Sequence, residues 1–395
     1  MEEVVIVSSV RTPFGKFGGR LRDVSLVELG GLVIKEALRR IDLNPGEVEE
    51  VCMGVNFPGS DREIARQCAL KGGVPDQIPA FTVDRACCSS LTAVGVEYLN
   101  LRNGGASVAI AGGTENLSQV PYFLHAARWG RRLGDIHLTD QIVISCPYSG
   151  VPRAVQAGVE ALEYGISREE QDRWALRSHQ LYQEAQNKGY FNEERMTLEI
   201  PQENGNILRM IEDESPRPDT TFEKLSKLPL VYGSPTVTAG NSPGLNTGSS
   251  ALTLMSKKKA MERGLKPLAE ILAHARAAGH PQKIASIPAL AAQKALAFGK
   301  MKLDEVALIE INEAFAAMPL VSTKILGEGD EKRTEAIRKK INVNGGAIAI
   351  GHPTGATGGR LTMTLAYELR RRGGGIGLVS ICGGIGQGEA LLIKV

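Results

Sequence analysis

The chain has 395 residues, too many for one ordinary core, so two or three packed units are expected. A hydrophobic fraction of 43% supplies large cores, and 45 glycines in a chain only 5% aromatic suit the tight strand-to-helix turns of an α/β fold. The formal charge of +2, with only short basic runs at Lys257–Lys259 and Arg370–Arg372 beside expected helix ends, argues against nucleic-acid binding, and no apolar run reaches the roughly 20 residues that cross a bilayer.

From the N-terminus, "MEEVVIVSSVRTPFG" reads as a short buried strand ending in a turn, unlike a targeting peptide, and the terminal "LLIKV" is no peroxisomal address. The six cysteines (Cys52, Cys68, Cys87, Cys88, Cys146, Cys382) form no CxxC pair, so reduced thiols and a cytoplasmic location are expected. Leu26 to Arg40 has the spacing of an amphipathic helix. In "VDRACCSSLTAV" the apolar positions Leu91, Val94, Tyr98, Leu99 and Leu101 continue as a helical stripe until Asn103-Gly104-Gly105. Cys87 then falls at or just before a helix N-terminus, whose positive end favours a thiolate. Either cysteine also suits simple core packing, and this stretch alone does not choose between Cys87 and Cys88.

The run "SVAIAGG" reads as another buried strand, after which Leu117 to Asn246 changes character. It carries helices around Ser167 to Lys188 and a polar, proline-bearing stretch from Pro201 to Pro235, as expected of an insertion lying over a site formed by two halves. Further on, "VALIEIN" runs into "EINEAFAAM", where Asn312 suits holding a water, donating to an oxyanion, or capping a helix. The segment "NVNGGAIAIGHPTGATGGR" is expected to be a buried strand leading into Gly351-His352-Pro353, with His352 a candidate general base. In "LVSICGGIGQG", Cys382 ends a strand, and Gly384 is expected to offer a backbone N–H in a conformation other residues avoid, as an oxyanion hole needs; a core cysteine before a turn is the plainer alternative.

The two ends of the chain also repeat one another. Leu91-Thr92, Leu99, Arg102 and Gly104-Gly105 recur 270 residues later as Leu361-Thr362, Leu369, Arg372 and Gly374-Gly375. After a one-residue slip, Val108, Ile110 and Gly112-Gly113 match Val379, Ile381 and Gly383-Gly384, and Glu50-Val51 with Asn56 faintly echo Glu305-Val306 with Asn312. A duplicated α/β unit follows.

Taken together, "VDRACCSSLTAV", "NEAFA", "GHPTGATGGR" and "CGGIGQGEA", with "VTAGNSPGLNTGSSA" as a pantetheine-side loop, resemble the thiolase family over nearly the whole chain. The resemblance implies a duplicated, five-layered α/β/α/β/α fold: an N-terminal half over 1–118 completed by 246–270, an inserted loop domain over 119–245, and a C-terminal half over 271–395. It implies a nucleophile at Cys87, because Leu91 fixes the register and leaves Cys88 to packing. It further implies a base at His352, an acid at Cys382, a water-holding Asn312, and an oxyanion N–H at Gly384. Contacts to coenzyme A would come from Ala239, Pro243 and Phe315. Coenzyme A is then a substrate, with no covalently bound cofactor and no metal, and a homodimer or homotetramer is the implied assembly. Some divergent relatives add a small zinc-bearing partner subunit.

Several positions depart from the family pattern. Asp84 replaces an asparagine, Ser90 a glycine, Pro243 a serine and Thr247 an aspartate; Pro152-Arg153-Ala154 stands where His-Met-Gly is usual, and "KIASIPA" replaces Met-Gly-x-Gly-Pro. These changes point away from acetoacetyl-CoA toward a bulky, branched or aromatic 3-oxoacyl-CoA such as benzoylsuccinyl-CoA, in a degradative setting like β-oxidation. The alternatives are a short-chain acetoacetyl-CoA thiolase and a non-catalytic, thiolase-like scaffold subunit. A ketoacyl synthase would leave "CGGIGQG" and "NEAFA" unexplained, and a sterol-carrier-type relative would carry a histidine in place of the "NEAF" segment.

Overall fold

A computed structural model describes residues 1–142, 145–201 and 205–395. The chain begins with β1 (Val4–Arg11), β2 (Gly15–Lys16), α1 (Leu26–Arg39), β3 (Glu50–Gly54), α2 (Ile64–Lys71), β4 (Ala80–Val83), α3 (Ser89–Arg102) and β5 (Val108–Asn116). It continues through β6 (Tyr122–Leu124), β7 (Leu138–Asp140), α4 (Arg153–Glu163), α5 (Arg168–Asn187), β8 (Leu198–Pro201), β9 (Ile207–Met210) and α6 (Phe222–Ser226). The long β10 (Asn246–Ser256) and α7 (Lys257–Glu262) lead into β11 (Ala269–Ala278), α8 (Ile287–Gly299), β12 (Leu308–Ile311), α9 (Ala317–Leu326) and α10 (Glu331–Arg338). A single turn, α11 (Ala347–Ile350), then precedes α12 (Thr357–Arg371), β13 (Ile376–Cys382) and β14 (Gln387–Lys394).

Sheet order explains the internal repeat. At the centre, β1 pairs antiparallel with β11 through Val4–Ile271, Val5–Glu270 and Ile6–Ala269. Outward from β1 come β10, β5 and β3, and outward from β11 come β14, β13 and β12. Each step matches its counterpart: antiparallel, antiparallel, then parallel. The sequence echo between residues 91–113 and 361–384 thus falls on α3–β5 and α12–β13, equivalent parts of two similar halves.

Alternation along the strands builds the layers. Val4 and Ile6 face a central core with Leu91, Val94, Leu361 and Leu365 of α3 and α12, whereas Val5 and Val7 pack outward with Val33, Ile34 and Ala65 of α1 and α2. On the far side, Ala273, Leu378 and Leu392 pack against Ala289, Ala292 and Met318 of α8 and α9. Two sheet halves therefore enclose α3 and α12, each with its own outer helices, which is the five-layered arrangement. Among the described residues no helix is long and apolar enough to cross a membrane.

Segments between β5 and β10 are joined firmly to this body. Ser167 caps α5 in a reciprocal box with Glu170, and Trp174 and Ala175 share a core with the C-terminal half. On α4, the buried Glu160 carboxylate accepts from Ile284 N and Ala285 N at 2.6 Å and Ser286 N at 3.1 Å.

One expected strand is a helix turn. Residues 347–350 ("AIAI") coil because their backbone donors are claimed by side chains rather than a neighbouring strand: Gly346 N donates to Ser178 Oγ at 2.9 Å and Ile348 N to Glu313 Oε2 at 3.1 Å. Gly345 (φ 80°) and Gly351 (φ 113°) bound the turn in conformations that side chains resist.

A second close approach fixes the segment after His352. A Cβ on Gly113 of β5 would lie 1.9 Å from Gly355 O and 2.8 Å from Gly54 O. Gly113→Ala is therefore expected to destabilise the fold by about 3 kcal/mol and displace the His352 segment. Thermal unfolding checks this, and an unchanged Tm would contradict the close packing.

Candidate active site

The loop before α3 is bent by local chemistry. Asp84 Oδ1 accepts from Ala86 N at 2.8 Å, Ser89 Oγ accepts from Arg85 N at 2.9 Å and donates to Ala86 O at 2.6 Å, and Ala86 takes φ 48°, uncommon for a residue with a side chain. Arg85 is anchored by the buried carboxylate of Glu389, which also accepts from Thr92 Oγ1 at 2.8 Å. This presents the half-buried Cys87 thiol just ahead of α3, while Cys88 is buried in the central core with Sγ 3.6 Å from Ile381 O.

His352 is held from three sides. Its N–H donates to Asn246 Oδ1 at 2.8 Å, and a Cβ at Gly351 would meet Asn246 Cγ at 2.8 Å. Just beyond it, the buried Glu115 carboxylate gathers Asn56 N, Phe57 N, Gly355 N and the Thr354 hydroxyl, at 2.6 to 3.1 Å. Nδ1 lies 2.7 Å from Thr357 Oγ1, whose own proton goes to Pro353 O at 2.9 Å. Thr357 must therefore accept from Nδ1–H, which leaves Nε2 with its lone pair. That nitrogen is 3.2 Å from Cys87 Sγ and 3.4 Å from Asn312 Nδ2. Asn312 follows β12 and does not cap α9, whose N-cap is Ala316; its Oδ1 is buried with no hydrogen bond among the described residues.

Electrostatics correct one expectation. Burial pushes the Cys87 thiol up to about 12, against the nearby Arg153 cation, which pulls the other way, and with the Glu115 and Asp84 carboxylates adding to the rise. Burial likewise lowers His352 to about 3, with the Arg360 cation adding to the effect. At neutral pH both are uncharged, a thiol facing an unprotonated imidazole. Since the raised pKa leaves little thiolate near neutrality, alkylation of Cys87 by iodoacetamide should climb about tenfold per pH unit between about pH 7 and 9. A rate already level across that range would show a resting thiolate instead.

Cys382 ends β13 beside this loop. A Cβ on Gly383 would lie 3.0 Å from Arg85 O and 3.1 Å from Cys88 Sγ, and one on Gly384 would lie 3.3 Å from Ala86 Cβ. The turn after β13 thus packs directly on the backbone that carries Cys87. Burial raises the Cys382 thiol above its ordinary range, and proximity to Cys87 raises it further. Gly384 N makes no backbone hydrogen bond among the described residues, and Cys87 forms an isolated bridge with Arg85. The expectation for Gly384 conformation needs correction: the left-handed angles of this turn belong to Ile385 (φ 58°) and Gly386 (φ 66°), and Gly384 is constrained by close packing instead.

His352 therefore contacts both Cys87 and Asn312, with Cys382 and Gly384 on the adjoining turn. Ala239 is exposed and Pro243 and Phe315 are half-buried; their segments meet through Ala316 N and Asn241 O at 3.0 Å and reach the centre through Leu245, which bridges to His352. Two departures from the family pattern serve packing: Ser90 Oγ accepts from Gly359 N at 3.0 Å, and the buried Thr247 Oγ1 donates to Asn116 Oδ1 at 2.7 Å. Sequence reasoning missed Thr357, Glu115 and Asn246. A glutamate among small residues in "GGTEN" was the available signal for Glu115, whereas Thr357 and Asn246 left none. Among the described residues no group of three metal-ligating side chains is assembled.

Comparison with known proteins adds independent findings. The model of the thiolase N-terminal domain matches residues 4–258 and that of the thiolase C-terminal domain residues 265–395. An acetyl-CoA acetyltransferase of Cupriavidus necator is 41% identical over 399 residues, covering 100% of both chains. Among solved structures, the acetyl-CoA acetyltransferase of Bacillus anthracis superposes with a TM-score of 0.95 at 40% identity, over 100% of this chain and 99% of that one. Human mitochondrial 3-ketoacyl-CoA thiolase gives 0.93 at 37% identity, over 100% and 98%.

Proposed function

The chain belongs to the thiolase family and is an acyltransferase of acyl-CoA metabolism, and from that premise we propose that it breaks or makes the carbon-carbon bond of a 3-oxoacyl-CoA through an acyl-enzyme on Cys87. The observation that carries this reading is the 3.2 Å contact between Cys87 Sγ and a His352 Nε2 whose lone pair is fixed by Thr357.

In the cleavage direction, His352 takes the thiol proton as sulfur attacks the 3-keto carbon. The neutral pair suits this, because charge separates only as the bond forms. The oxyanion is met by the newly formed Nε2–H and by a water that Asn312 holds. Carbon-carbon cleavage then releases the enolate of a CoA thioester, and the Cys382 thiol gives its proton to the enolate carbon. His352 passes its proton to the Cys382 thiolate and, unprotonated again, takes the thiol proton of coenzyme A as that sulfur attacks the acyl-Cys87 thioester. The oxyanion lies toward the N–H groups of Cys87 and Gly384, and its collapse releases the Cys87 thiolate, which regains a proton from His352.

For the acyl group, an enlarged or substituted chain is supported by Pro243, which cannot make a serine's hydrogen bond, and by Arg153 in place of the usual His-Met-Gly. Short acetyl transfer is the second reading, supported by the names of the Cupriavidus and Bacillus relatives. Exposed Tyr122, Trp129, Leu133 and Ile136 around β6 and β7 support a homodimer or homotetramer. Thiolysis with free coenzyme A, run on straight, branched and aromatic 3-oxoacyl-CoA and followed by chromatography of the products, tests the reading. A shortened acyl-CoA is the expected product, and unchanged substrate across the panel would sink the proposal.

A further inference from the structure

Arg153 opens α4 at half-burial, and none of the steps above uses its charge. Its Nη1 donates to Gln156 Oε1 at 3.1 Å; Gln156 is 4% exposed and donates in turn to Ser149 Oγ at 3.3 Å. The other amino group, Nη2, lies 3.2 Å from where a Cβ on Gly384 would sit, and that same point is 3.3 Å from Ala86 Cβ. The guanidinium edge is therefore held beside Gly384, on the turn that packs against the backbone carrying Cys87. Its charge reaches both the Cys87 and Cys382 thiols.

Among the described residues Arg153 has no carboxylate partner. Glu160, two turns further along α4, accepts from Ile284, Ala285 and Ser286 and makes no ion pair with Arg153 among the described residues. Its charge also acts on the Cys146 thiol, but a cation partly removed from water with no carboxylate hydrogen-bonded to it is best satisfied by an anion that arrives with the ligand. Its planar fork matches a carboxylate. The phosphates of coenzyme A do not fit this place, because the pantetheine arm keeps them away from a thioester under attack by Cys87.

We propose that Arg153 reads a carboxylate on the acyl part retained by Cys87, so that the preferred substrates are 3-oxoacyl-CoA thioesters carrying a second acid group. The inference rests on the thiolase reading above and narrows its substrate class.

The test compares kcat/KM for 3-oxoadipyl-CoA with that for its methyl ester, which keeps the chain and removes the charge, together with mass spectrometry of the Cys87 peptide. In the wild-type protein the acid should be preferred by about 10- to 100-fold. Arg153→Gln should bring the ratio close to one, and Arg153→Lys should retain part of it as a point charge. A wild-type ratio near one overturns the proposal. So does an Arg153→Gln variant that slows both substrates by the same factor, since that assigns Arg153 to tuning the thiols alone. A raised KM for coenzyme A with the ratio intact assigns it to phosphate binding and also overturns the proposal. If neither thioester acylates Cys87, the thiolase reading falls and takes this one with it; acylation by both without discrimination removes only the carboxylate reading.

Discussion

Cys87→Ser is expected to lower kcat for 3-oxoacyl-CoA thiolysis by about 10⁴-fold or more while leaving Tm nearly unchanged. Serine keeps the shape, but its hydroxyl is a far weaker acid, so His352 delivers it less readily as a nucleophile to the keto carbon. The fold should tolerate the change, because Cys87 is half-buried and its thiol faces His352. Cys88→Ser is the paired control. Its sulfur sits in the central core near Ile381 O, so it should cost stability more than turnover. If the effects were reversed, with Cys88→Ser inactive and Cys87→Ser active, the register of the whole site would be wrong by one residue.

Cys382→Ser should separate the two half-reactions. Carbon-carbon cleavage needs a proton delivered to carbon, whereas moving an acyl group between Cys87 and coenzyme A needs only the thiol and His352. The variant should therefore lose about 10³-fold in cleavage, within the usual range for a general acid, while exchange of labelled coenzyme A into acetyl-CoA survives. Wild-type protein should also exchange the α-protons of acetyl-CoA with deuterated solvent, and the variant should not. Equal loss of all three activities would make Cys382 a packing residue at the turn that supports Gly384. The high pKa that burial gives Cys382 agrees with its holding a proton until an enolate appears.

What the sequence revealed was what depends on near neighbours. Strand β1 was legible because "VVIVSS" is buried on both faces, and α3 because Leu91, Val94, Tyr98 and Leu101 recur at helical spacing up to a glycine pair, although Leu99, expected with them, is exposed. The repeat was legible because equivalent packing in two halves demands the same residues at the same spacing. The turn 347–350 was misread because a short apolar run fits strand and helix alike, and the deciding partners, Ser178 and Glu313, lie 168 and 35 residues away. The thiol was misjudged for a similar reason: a helix end is visible in sequence, but the desolvation that raises the thiol comes from the assembled halves. Glu115 gave only the signal of a glutamate among small residues, because the segments it gathers lie 58 residues back and 239 residues ahead in the chain. Arg153 was visible as a departure from the family pattern, yet its place beside Gly384 depends on α4 docking against the C-terminal half.

The most direct measurement is peptide mass spectrometry of the protein incubated with 3-oxoacyl-CoA esters in the absence of free coenzyme A. The account predicts an acyl mass on the Cys87 peptide, removed when coenzyme A is added and absent in Cys87→Ser. An acyl group on Cys88, or none on either cysteine with any ester, would contradict it.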